Sequence, residues 1–429
     1  MRVAQRGLAL LVWSLQVAAT ILQNGQVREH PYPGQAPKIV LDGSWNIYGA
    51  DSPEIAYKGR WDSKHVSWWS FVSPIPNTPF FSARPPLVAV LTSPVHPESN
   101  WNLLEARILT HSQLAVSFGP STTDGVLVAY RLGSLDWQFS NVTAAATYQF
   151  IGDWTGLSTE EVHEKKTFEM RVQIDGVATA GDAELTVPPR FKKKVEIIGG
   201  SLATGQYGTY ETISGWAFLF AAGLGNVEHS ITAYPGACLT DNKCYGGVHG
   251  MTWYWHRASD PGSRAHAFYG NEPEKWDVEA EQPADLVLIQ MGGNDHRHPN
   301  EVPGKDFYNA YVDMIEDIHR VWPHAVVLIV SQWGSFVKSG MTYEPTQIYE
   351  QEARAVHEHF KERGFVYYFD TTGILQYNDI NPKNHPTDVG HIKLASHLLQ
   401  WTRLVLRWNL EPLGEVQHGT LYWNDQQDY

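Results

Sequence analysis

Cysteine is scarce in this sequence. Among its 429 residues, only Cys238 and Cys244 are cysteines, and two cysteines alone are too few for the usual structural metal site with four ligands. In an oxidising compartment, a pair this close in sequence can form a disulfide around a small loop. A buried thiol beside an exposed one is the alternative. We therefore expect a disulfide and no metal site.

Long hydrophobic runs are also lacking, so no stretch predicts a helix that spans a membrane. The run "LALLVWSLQVAAT" follows Arg2 and Arg6, and the small residues Val17 and Ala19 within it suit cleavage after Ala19 or nearby. This pattern is typical of a secretory signal peptide over residues 1–19, with a buried N-terminal helix as the alternative. We expect a secreted, extracellular protein, and the sequon at Asn141 fits glycosylation in that compartment.

Basic residues are too few to balance the acidic ones. The chain has 32 Lys and Arg against 46 Asp and Glu, which gives a net charge of −14. An acidic surface repels polyphosphates and anionic lipid, so we expect neither a nucleic-acid partner nor a membrane partner. Hydrophobic residues make up 43% of the chain, as in globular proteins, and the length favours two domains.

The first half of the chain lacks helical periodicity. Residues 34–187 consist of short β-type runs separated by turn residues, and "FEMRVQI" alternates between apolar and polar side chains. Several such strands at short spacing predict a β-sandwich of the jelly-roll type. The prolines and basic residues of "VPPRFKKK", residues 187–194, indicate the boundary to a second domain.

A different pattern follows over residues 188–412. Five short and mostly apolar runs alternate with helical segments, which predicts a parallel sheet covered on both faces. The predicted strands are "VEIIGG", "HSITAY", "ADLVLIQMGG", "AVVLIVSQW" and "FVYYFD", and the helix after the fourth begins at "TQIYEQ". Residues 413–429 form a C-terminal tail.

The glycine-rich turn "GGSLATGQYG" after the first of these strands lacks the residues that bind nucleotides. Gln206 stands where a phosphate loop has Lys, and Ser201 stands where the dinucleotide fingerprint has its second Gly. What remains is a serine at the end of a strand, the setting of an exposed nucleophile. Gly236, Asn294 and His385 follow other strands. A hydroxyl, an imidazole and neutral donors are the groups that acyl transfer needs, although Asn294 can instead simply cap the loop after its strand.

These blocks resemble those of the SGNH (GDSL-type) hydrolases. The sequence has "GGS", "YPGA", "GGND" and "NHPTDVGH", so Ser201, Gly236, Asn294 and His385 match the four signature residues in order. With a β-sandwich in front, the layout is similar to carbohydrate esterase family 2, two-domain acetyl esterases that act on plant polysaccharides. The "YKGRWD" of residues 57–62 also looks like the N-terminal domain of that family.

The resemblance implies a flavodoxin-like hydrolase domain over residues 188–412. It also implies an acetylated polysaccharide or oligosaccharide of the xylan or mannan type as substrate, and no cofactor or metal. Ser201 would be the nucleophile and His385 the base, with an oxyanion hole formed by Ser201, Gly236 and Asn294. We expect a monomer.

Two positions depart from the family pattern. Gly200 replaces the Asp before the nucleophile, and Pro382 stands where the acid that orients His385 belongs. Asp379 is the candidate replacement, and a backbone carbonyl acting alone is the other; we favour the resulting Ser–His dyad. His391 lies inside the last predicted helix, and we expect it to pack against the sheet.

Tryptophan is abundant, with 17 residues. Trp253, Trp255 and Trp333 lie in predicted loops, where flat apolar rings can stack on sugars or can serve as ordinary packing. Two other functions stay open: another SGNH esterase or lipase activity, and a carbohydrate-binding protein whose catalytic site has decayed. The departures at Gly200 and Pro382 motivate the second.

Overall fold

The structure is a computed structural model. It describes residues 22–23, 26–27, 38–58, 62–65, 67–72, 88–92, 103–108, 114–119, 122, 126–132, 138–150, 170–180, 185–186, 191–208, 214–225, 227–244, 248–257 and 275–409. The predicted signal peptide and the predicted C-terminal tail lie outside these residues.

The described part of the first 190 residues is made of β-strands. Twelve of the strands form two six-stranded sheets of mainly antiparallel pairs. One sheet has the order β11-β10-β7-β8-β14, with β4 also paired to β8, and the other has the order β12-β9-β13-β6-β5, with β3 also paired to β13. The strands β1 and β2 pair with each other. The jelly-roll arrangement of this region stays a prediction. The strands are β1 Leu22–Gln23, β2 Gln26–Val27, β3 Trp45–Gly49, β4 Ile55–Lys58, β5 Asp62–His65, β6 Ser67–Val72, β7 Val88–Thr92, β8 Leu103–Ile108, β9 Leu114–Phe118, β10 Val126–Leu132, β11 Gln138–Val142, β12 Ala146–Phe150, β13 Met170–Ala180 and β14 Leu185–Thr186.

The second half contains a parallel five-stranded sheet with the order β16-β15-β17-β18-β21. The predicted sheet is therefore confirmed. The carboxyl ends of its strands lie at one edge, where ligands bind in sheets of this kind. The strands of this half are β15 Lys194–Gly199, β16 Glu228–Ala233, β17 Leu286–Gln290, β18 Val326–Val330, β19 Gln332–Ser339, β20 Thr342–Ile348 and β21 Val366–Phe369.

Helices cover both faces of this sheet, which explains why β17 and β18 are almost entirely apolar. Alternate residues of β17 point to opposite sides: Leu286 and Leu288 join one core cluster, whereas Val287 and Ile289 join the other. Strands that are buried on both faces are therefore mainly apolar. The helices are α1 Trp216–Leu224, α2 Met251–Tyr254, α3 Gly293–His296, α4 Gly304–Val321, α5 Glu350–Phe360 and α6 Asp388–Val405, with 3₁₀ turns at Lys361–Arg363 and Tyr377–Asp379.

The helix α4 shows how sequence periodicity selects a face. Phe307, Tyr311, Met314, Ile315 and Ile318 are its buried residues, and their spacing of three and four places them on one side of a helix. They pack in the same core cluster as Val287 and Ile289 of the sheet. The opposite cluster contains residues of α1 and α6.

The region after β18 differs from the prediction. Residues 332 and 333 do not extend β18, and the next helix does not begin at Thr346; instead β19 and β20 form an antiparallel hairpin. Gly340 takes a positive φ of 59° in its two-residue turn, which suits glycine and closes hairpins. Tyr349 then adopts a left-handed conformation at the start of α5. The alternating residues around "SGMT" are the sequence signal for this hairpin.

No helix in the described part of the chain is long and apolar enough to cross a membrane.

His391 lies in α6, fully buried, as expected. Its Nδ1 accepts a hydrogen bond from the backbone N–H of Trp216 at 3.1 Å, so it satisfies a donor at the first turn of α1. Burial lowers the pKa of His391 to about 3, and the nearby His385 adds to this effect. The imidazole is therefore neutral in the folded protein at ordinary pH.

We predict that acid destabilises the fold through His391. Its pKa is lower in the folded than in the unfolded state, so unfolding takes up a proton as the pH falls from about 6.5 towards 3, and stability is lost over that window. The fall in Tm between neutral and acidic pH should therefore be smaller in His391→Gln than in wild type. The exposed His397 of the same helix supplies the control: His397→Gln should leave the fall unchanged, and an equal fall in all three proteins would contradict the assignment.

Candidate active site

Ser201 lies on a tight turn at the carboxyl end of β15. The carbonyl of Gly200 accepts hydrogen bonds from the N–H groups of Ala203 and Thr204, both at 3.1 Å, and the carbonyl of Ser201 accepts one from Gln206 at 3.1 Å. These bonds fold residues 200–206 back on themselves. The turn therefore holds the Ser201 side chain at the edge of the sheet where the strands end.

The hydroxyl of Ser201 contacts His385, 184 residues later in the chain. The distance from Ser201 Oγ to His385 Nε2 is 2.8 Å, and His385 Nδ1 lies 2.8 Å from the carbonyl oxygen of Lys383. A carbonyl oxygen can only accept a hydrogen bond, so Nδ1 carries the proton. Nε2 then has a free lone pair that accepts the Ser201 hydroxyl, as a general base requires.

Asn381 shapes the turn that brings the Lys383 carbonyl to the imidazole. Its Oδ1 accepts hydrogen bonds from the N–H groups of Lys383 at 2.8 Å and His385 at 3.3 Å. Its own N–H donates to the carbonyl of His385 at 2.8 Å, and a β-bridge joins Ile380 to Pro386. Asn381 was not among the site residues predicted from the sequence. An Asx residue ahead of "PKNHP" is the signal that points to such a turn.

Asp379 does not orient His385, so this candidate was wrong. Its carboxylate is buried and pairs with Lys393 Nζ of α6 at 2.7 and 2.9 Å. It also accepts the N–H of Gln376 at 2.8 Å. The 3₁₀ turn Tyr377–Asp379 thus directs the carboxylate towards α6, and the backbone carbonyl of Lys383 occupies the place beside the imidazole.

The surroundings of His385 favour its neutral form. Burial lowers the pKa of His385 to about 4; the Lys383 carbonyl opposes this shift, whereas the positive charge of Arg297 adds to it. The ring of Tyr207 contacts the imidazole edge to face, with centroids 4.8 Å apart. His385 is therefore available as a base over most of the acidic and neutral pH range.

Three hydrogen-bond donors lie at the ends of neighbouring strands: the backbone N–H groups of Ser201 and Gly236, and the side-chain amide of Asn294. Gly236, at a positive φ of 82°, follows β16, and Asn294 follows β17 as the second residue of α3. Asn294 Nδ2 uses one hydrogen on the Ala237 carbonyl at 2.9 Å, which leaves its second hydrogen free. Among the described residues, the N–H groups of Ser201 and Gly236 have no acceptor. These groups are the ones that an oxyanion would bind.

The buried carboxylate of Asp295 holds two of these elements together. It accepts hydrogen bonds from the N–H groups of Leu239 at 2.8 Å and Thr240 at 3.0 Å, and from the Thr240 hydroxyl at 2.9 Å. Burial raises the pKa of Asp295, and the three donors oppose that shift. In the same loop Cys238 and Cys244 form a disulfide, with Cα atoms 5.9 Å apart. The loop that carries Gly236 is thus tied to the helix that carries Asn294.

These groups open into a cleft of about 510 Å³, which includes space open to solvent. Gln332, Trp333 and Ile348, at the base of the β19–β20 hairpin, form one side of it. Three buried polar atoms of the lining have no partner in the described part of the chain: Gln290 Nε2, Gln332 Oε1 and Trp333 Nε1. The described residues that line the cleft are Gly200, Ser201, Leu202, Ala237, Gln290, Met291, Gly292, Gly293, Asn294, Arg297, Gln332, Trp333, Ile348, Asn384 and His385.

The three candidate tryptophans differ in position. Trp255 is fully buried, and Trp253 has His249 stacked on its ring at 4.1 Å and the Arg257 guanidinium over it at 4.2 Å. Neither residue is among the described residues that line the cleft. Trp255 has no exposed surface for a sugar, so this candidate was wrong, whereas sugar binding by Trp253 stays a prediction. Trp333 does line the cleft. Asn141 lies in β11, and its glycosylation stays a prediction.

Comparison with known proteins agrees with the sequence blocks. Residues 197–393 match the model of the GDSL-like lipase/acylhydrolase family. No curated protein matches the chain by sequence. This match confirms the expected resemblance and the expectation of a carboxylic ester hydrolase.

Several solved structures share the fold. A family two carbohydrate esterase from Clostridium thermocellum in complex with cellohexaose has a TM-score of 0.51 at 16% identity, covering 83% of this chain and 100% of its own. The acetyl xylan esterase Est2A from Butyrivibrio proteoclasticus has 0.54 at 14%, covering 85% and 98%. The salicylyl-acyltransferase SsfX3 from a tetracycline biosynthetic pathway has 0.53 at 14%, covering 86% and 100%. At these identities the likeness concerns the fold.

We predict an acid limb of activity near pH 4. Neutral His385 is the base, so kcat/KM should rise as the pH increases through the pKa of about 4 and level off above it. Initial rates on 4-nitrophenyl acetate between about pH 3 and pH 8 measure this limb, provided that circular dichroism shows the protein folded at each pH. A limb near the ordinary histidine value would mean that water solvates His385 in solution, against its buried position.

We also predict that Asp379 and Asn381 differ in effect. Asp379→Asn should keep kcat within about threefold of wild type, because the loss of about 10⁴-fold on removing a triad carboxylate requires contact with the imidazole. It should lower Tm, since Lys393 loses its partner. Asn381→Ala should lower kcat by about 10²-fold, because the Lys383 carbonyl would no longer be held against Nδ1.

The two variants control for each other, since they lie two residues apart in the same loop. Steady-state kinetics with thermal melts would separate the effects. A large loss of kcat in Asp379→Asn at unchanged Tm would restore the triad, and an active Asn381→Ala would remove the proposed role of the turn.

Proposed function

We propose that this protein is a carbohydrate esterase that removes O-acetyl groups through a Ser201–His385 dyad. The observation that carries the proposal is the 2.8 Å contact between Ser201 Oγ and His385 Nε2 beside two unpaired backbone N–H groups. A paired hydroxyl and imidazole next to oxyanion donors are suited to acyl transfer.

The reaction would begin when Ser201 Oγ attacks the acetyl carbonyl and His385 Nε2 takes the hydroxyl proton. The carbonyl oxygen then becomes an oxyanion, which the N–H groups of Ser201 and Gly236 and the free amide hydrogen of Asn294 would bind. His385 returns the proton to the sugar oxygen as the C–O bond breaks. The sugar leaves as an alcohol, and Ser201 keeps the acetyl group as an ester.

Water completes the cycle by the same steps. His385 takes a proton from water, the hydroxide attacks the acetyl-Ser201 carbonyl, and the tetrahedral intermediate collapses to acetate with the proton returned to Ser201 Oγ. The carbonyl of Lys383 would hold the imidazole tautomer throughout, in place of the carboxylate of a triad. A carbonyl stabilises the imidazolium less than a carboxylate does, so the low pKa of His385 fits this dyad.

A carbohydrate substrate is favoured by the polar lining of the cleft. The side chains of Arg297, Gln332 and Asn384 are among its lining residues, and groups of these types form hydrogen bonds with sugar hydroxyls. A site built to bind hydroxyls discriminates strongly against substrates that lack them, and this argues against a lipid ester. The solved carbohydrate esterases with the same fold support the same substrate class. Within it, we propose acetylated plant polysaccharide of the xylan or mannan type.

We further propose that the protein is secreted and works as a monomer. The signal-peptide pattern of residues 1–19 and the sequon at Asn141 support an extracellular location. The Cys238–Cys244 disulfide is consistent with an oxidising compartment.

Ser201→Ala should abolish acetate release from acetylated xylan, with kcat lowered by about 10⁴-fold or more. His385→Ala should cause a similar loss, and the double variant should lose little more, because the two residues act as a unit. Acetate release by the wild type and these variants measures this. Ser396→Ala, an exposed serine on α6, is the matched control and should keep full activity.

The same assay decides between the remaining functions. Folded wild type that releases acetate neither from xylan nor from 4-nitrophenyl acetate would refute the esterase proposal. If it then still bound xylan, the protein would be a carbohydrate-binding protein. Activity on the aryl ester but on no acetylated glycan would instead indicate another esterase activity.

A further inference from the structure

Arg297 carries the only formal charge at neutral pH among the described residues that line the cleft. The other lining residues are apolar or neutral, and His385 is neutral there because of its lowered pKa. The whole chain, in contrast, has a net charge of −14. An isolated cation in the cleft of an acidic protein is a local feature that distinguishes the site from the remaining surface.

No described carboxylate neutralises Arg297. The nearest acidic residues along the chain have other partners: Asp295 accepts three hydrogen bonds from residues 239 and 240, and Glu301 lies 3.3 Å from His298. The Arg297 guanidinium forms no hydrogen bond or ion pair within the described residues. It is therefore available to an anionic ligand.

The backbone of Arg297 is nevertheless held in place. Its carbonyl accepts hydrogen bonds from the N–H groups of Asn300 at 2.8 Å and Glu301 at 3.1 Å. The Asn300 side chain donates to the carbonyl of Asn294 at 2.8 Å. The backbone of Arg297 is thus fixed relative to that of Asn294.

Arg297 and His385 line the same cleft. The charge of Arg297 lowers the pKa of His385 and opposes the rise that burial causes in the pKa of Tyr207, and the rings of His385 and Tyr207 are in contact. His385 Nε2 gives its proton to the departing alcohol, so the alcohol part of the ester must lie next to the imidazole.

From this geometry we infer that Arg297 binds a carboxylate on the alcohol part of the ester, so that the substrate class is an O-acetylated acidic sugar. This inference rests on the proposed function. A guanidinium binds a carboxylate through two parallel hydrogen bonds, which gives both affinity and orientation. The acidic sugar would be a uronic-acid unit of the acetylated polysaccharide.

The bound carboxylate would also assist the chemistry. The Arg297 charge opposes formation of the imidazolium when His385 takes the Ser201 proton, and no carboxylate beside the imidazole compensates for it. A substrate carboxylate on Arg297 cancels that opposition. The preference for the acidic substrate should therefore appear in kcat as well as in KM.

The test compares two soluble probes that differ in charge alone: the methyl glycoside of O-acetylated galacturonic acid, and the same compound with its carboxylate converted to a carboxamide. Acetate release from each gives kcat and KM. Wild type should prefer the carboxylate by about tenfold or more in kcat/KM, the scale of a charge-assisted hydrogen bond. Arg297→Gln should bring this ratio close to one, and Arg297→Lys should leave it in between.

Arg403→Gln is the matched control. Arg403 is exposed on α6 and does not line the cleft, so this variant changes the net charge equally and should keep the wild-type ratio. A second pair of probes, 4-nitrophenyl hemisuccinate and its carboxamide, carries the carboxylate on the acyl part, and wild type should show no preference between them.

A wild-type ratio near one, or a ratio that Arg297→Gln leaves unchanged, would overturn the inference, and the second result would assign the carboxylate to another group. A preference confined to the hemisuccinate pair would overturn the assignment to the alcohol side. In each of these cases, acetate release from the carboxamide glycoside that depends on Ser201 would leave the proposed esterase function intact. Absence of release from both glycosides by folded wild type that hydrolyses acetylated xylan or 4-nitrophenyl acetate would overturn this inference alone. Absence of release from those two substrates as well would refute the proposed function and this inference together.

Discussion

The candidate active site depends on one buried carboxylate. Asp295 is fully buried and its three hydrogen bonds all come from residues 239 and 240. An unpaired buried carboxylate is very unfavourable, so these donors must stay in place as long as the protein is folded. Because Asn294 precedes Asp295 and Gly236 lies just before the bound loop, the same interaction sets the distance between two groups of the oxyanion site. The disulfide in that loop restricts it further.

The histidine side of the site is organised differently, by the backbone. Asn381 folds the loop, and the loop presents its own carbonyl to His385. This arrangement fixes the imidazole tautomer without placing a negative charge in the cleft. The electrostatics of the cleft are then governed by burial and by Arg297, because no carboxylate lies among the described lining residues. A site of this kind can respond to charges on its ligand more than a triad can.

The fold of the second half could be predicted from the sequence because its strands are short and mostly apolar and alternate with helices of clear periodicity. The order of the blocks around Ser201, Gly236, Asn294 and His385 identified the residues that meet at the sheet edge. Other features depend on tertiary contacts that sequence spacing does not encode. Asp379 lies close to His385 in sequence, yet its side chain points to Lys393 of α6. Trp253 looked like an exposed loop residue, but His249 and Arg257 pack against its ring. Short apolar runs also merge with their neighbours, and the hairpin after β18 was therefore missed.

The β19–β20 hairpin allows the entrance of the cleft to vary without a change in the catalytic residues. Both of its ends, Gln332 and Ile348, line the cleft, whereas its tip at Met341 is fully exposed and Tyr343 stacks on Tyr377 of the adjoining 3₁₀ turn. Trp333 and Phe336, near the base of the hairpin, pack with the core of the parallel sheet, whereas residues 340–345 at its tip are exposed. Since surface loops tolerate changes in length at little thermodynamic cost, this tip can be shortened, extended or exchanged while the nucleophile and its base stay in place. The rim of the cleft can thus diverge between relatives independently of the chemistry at its floor.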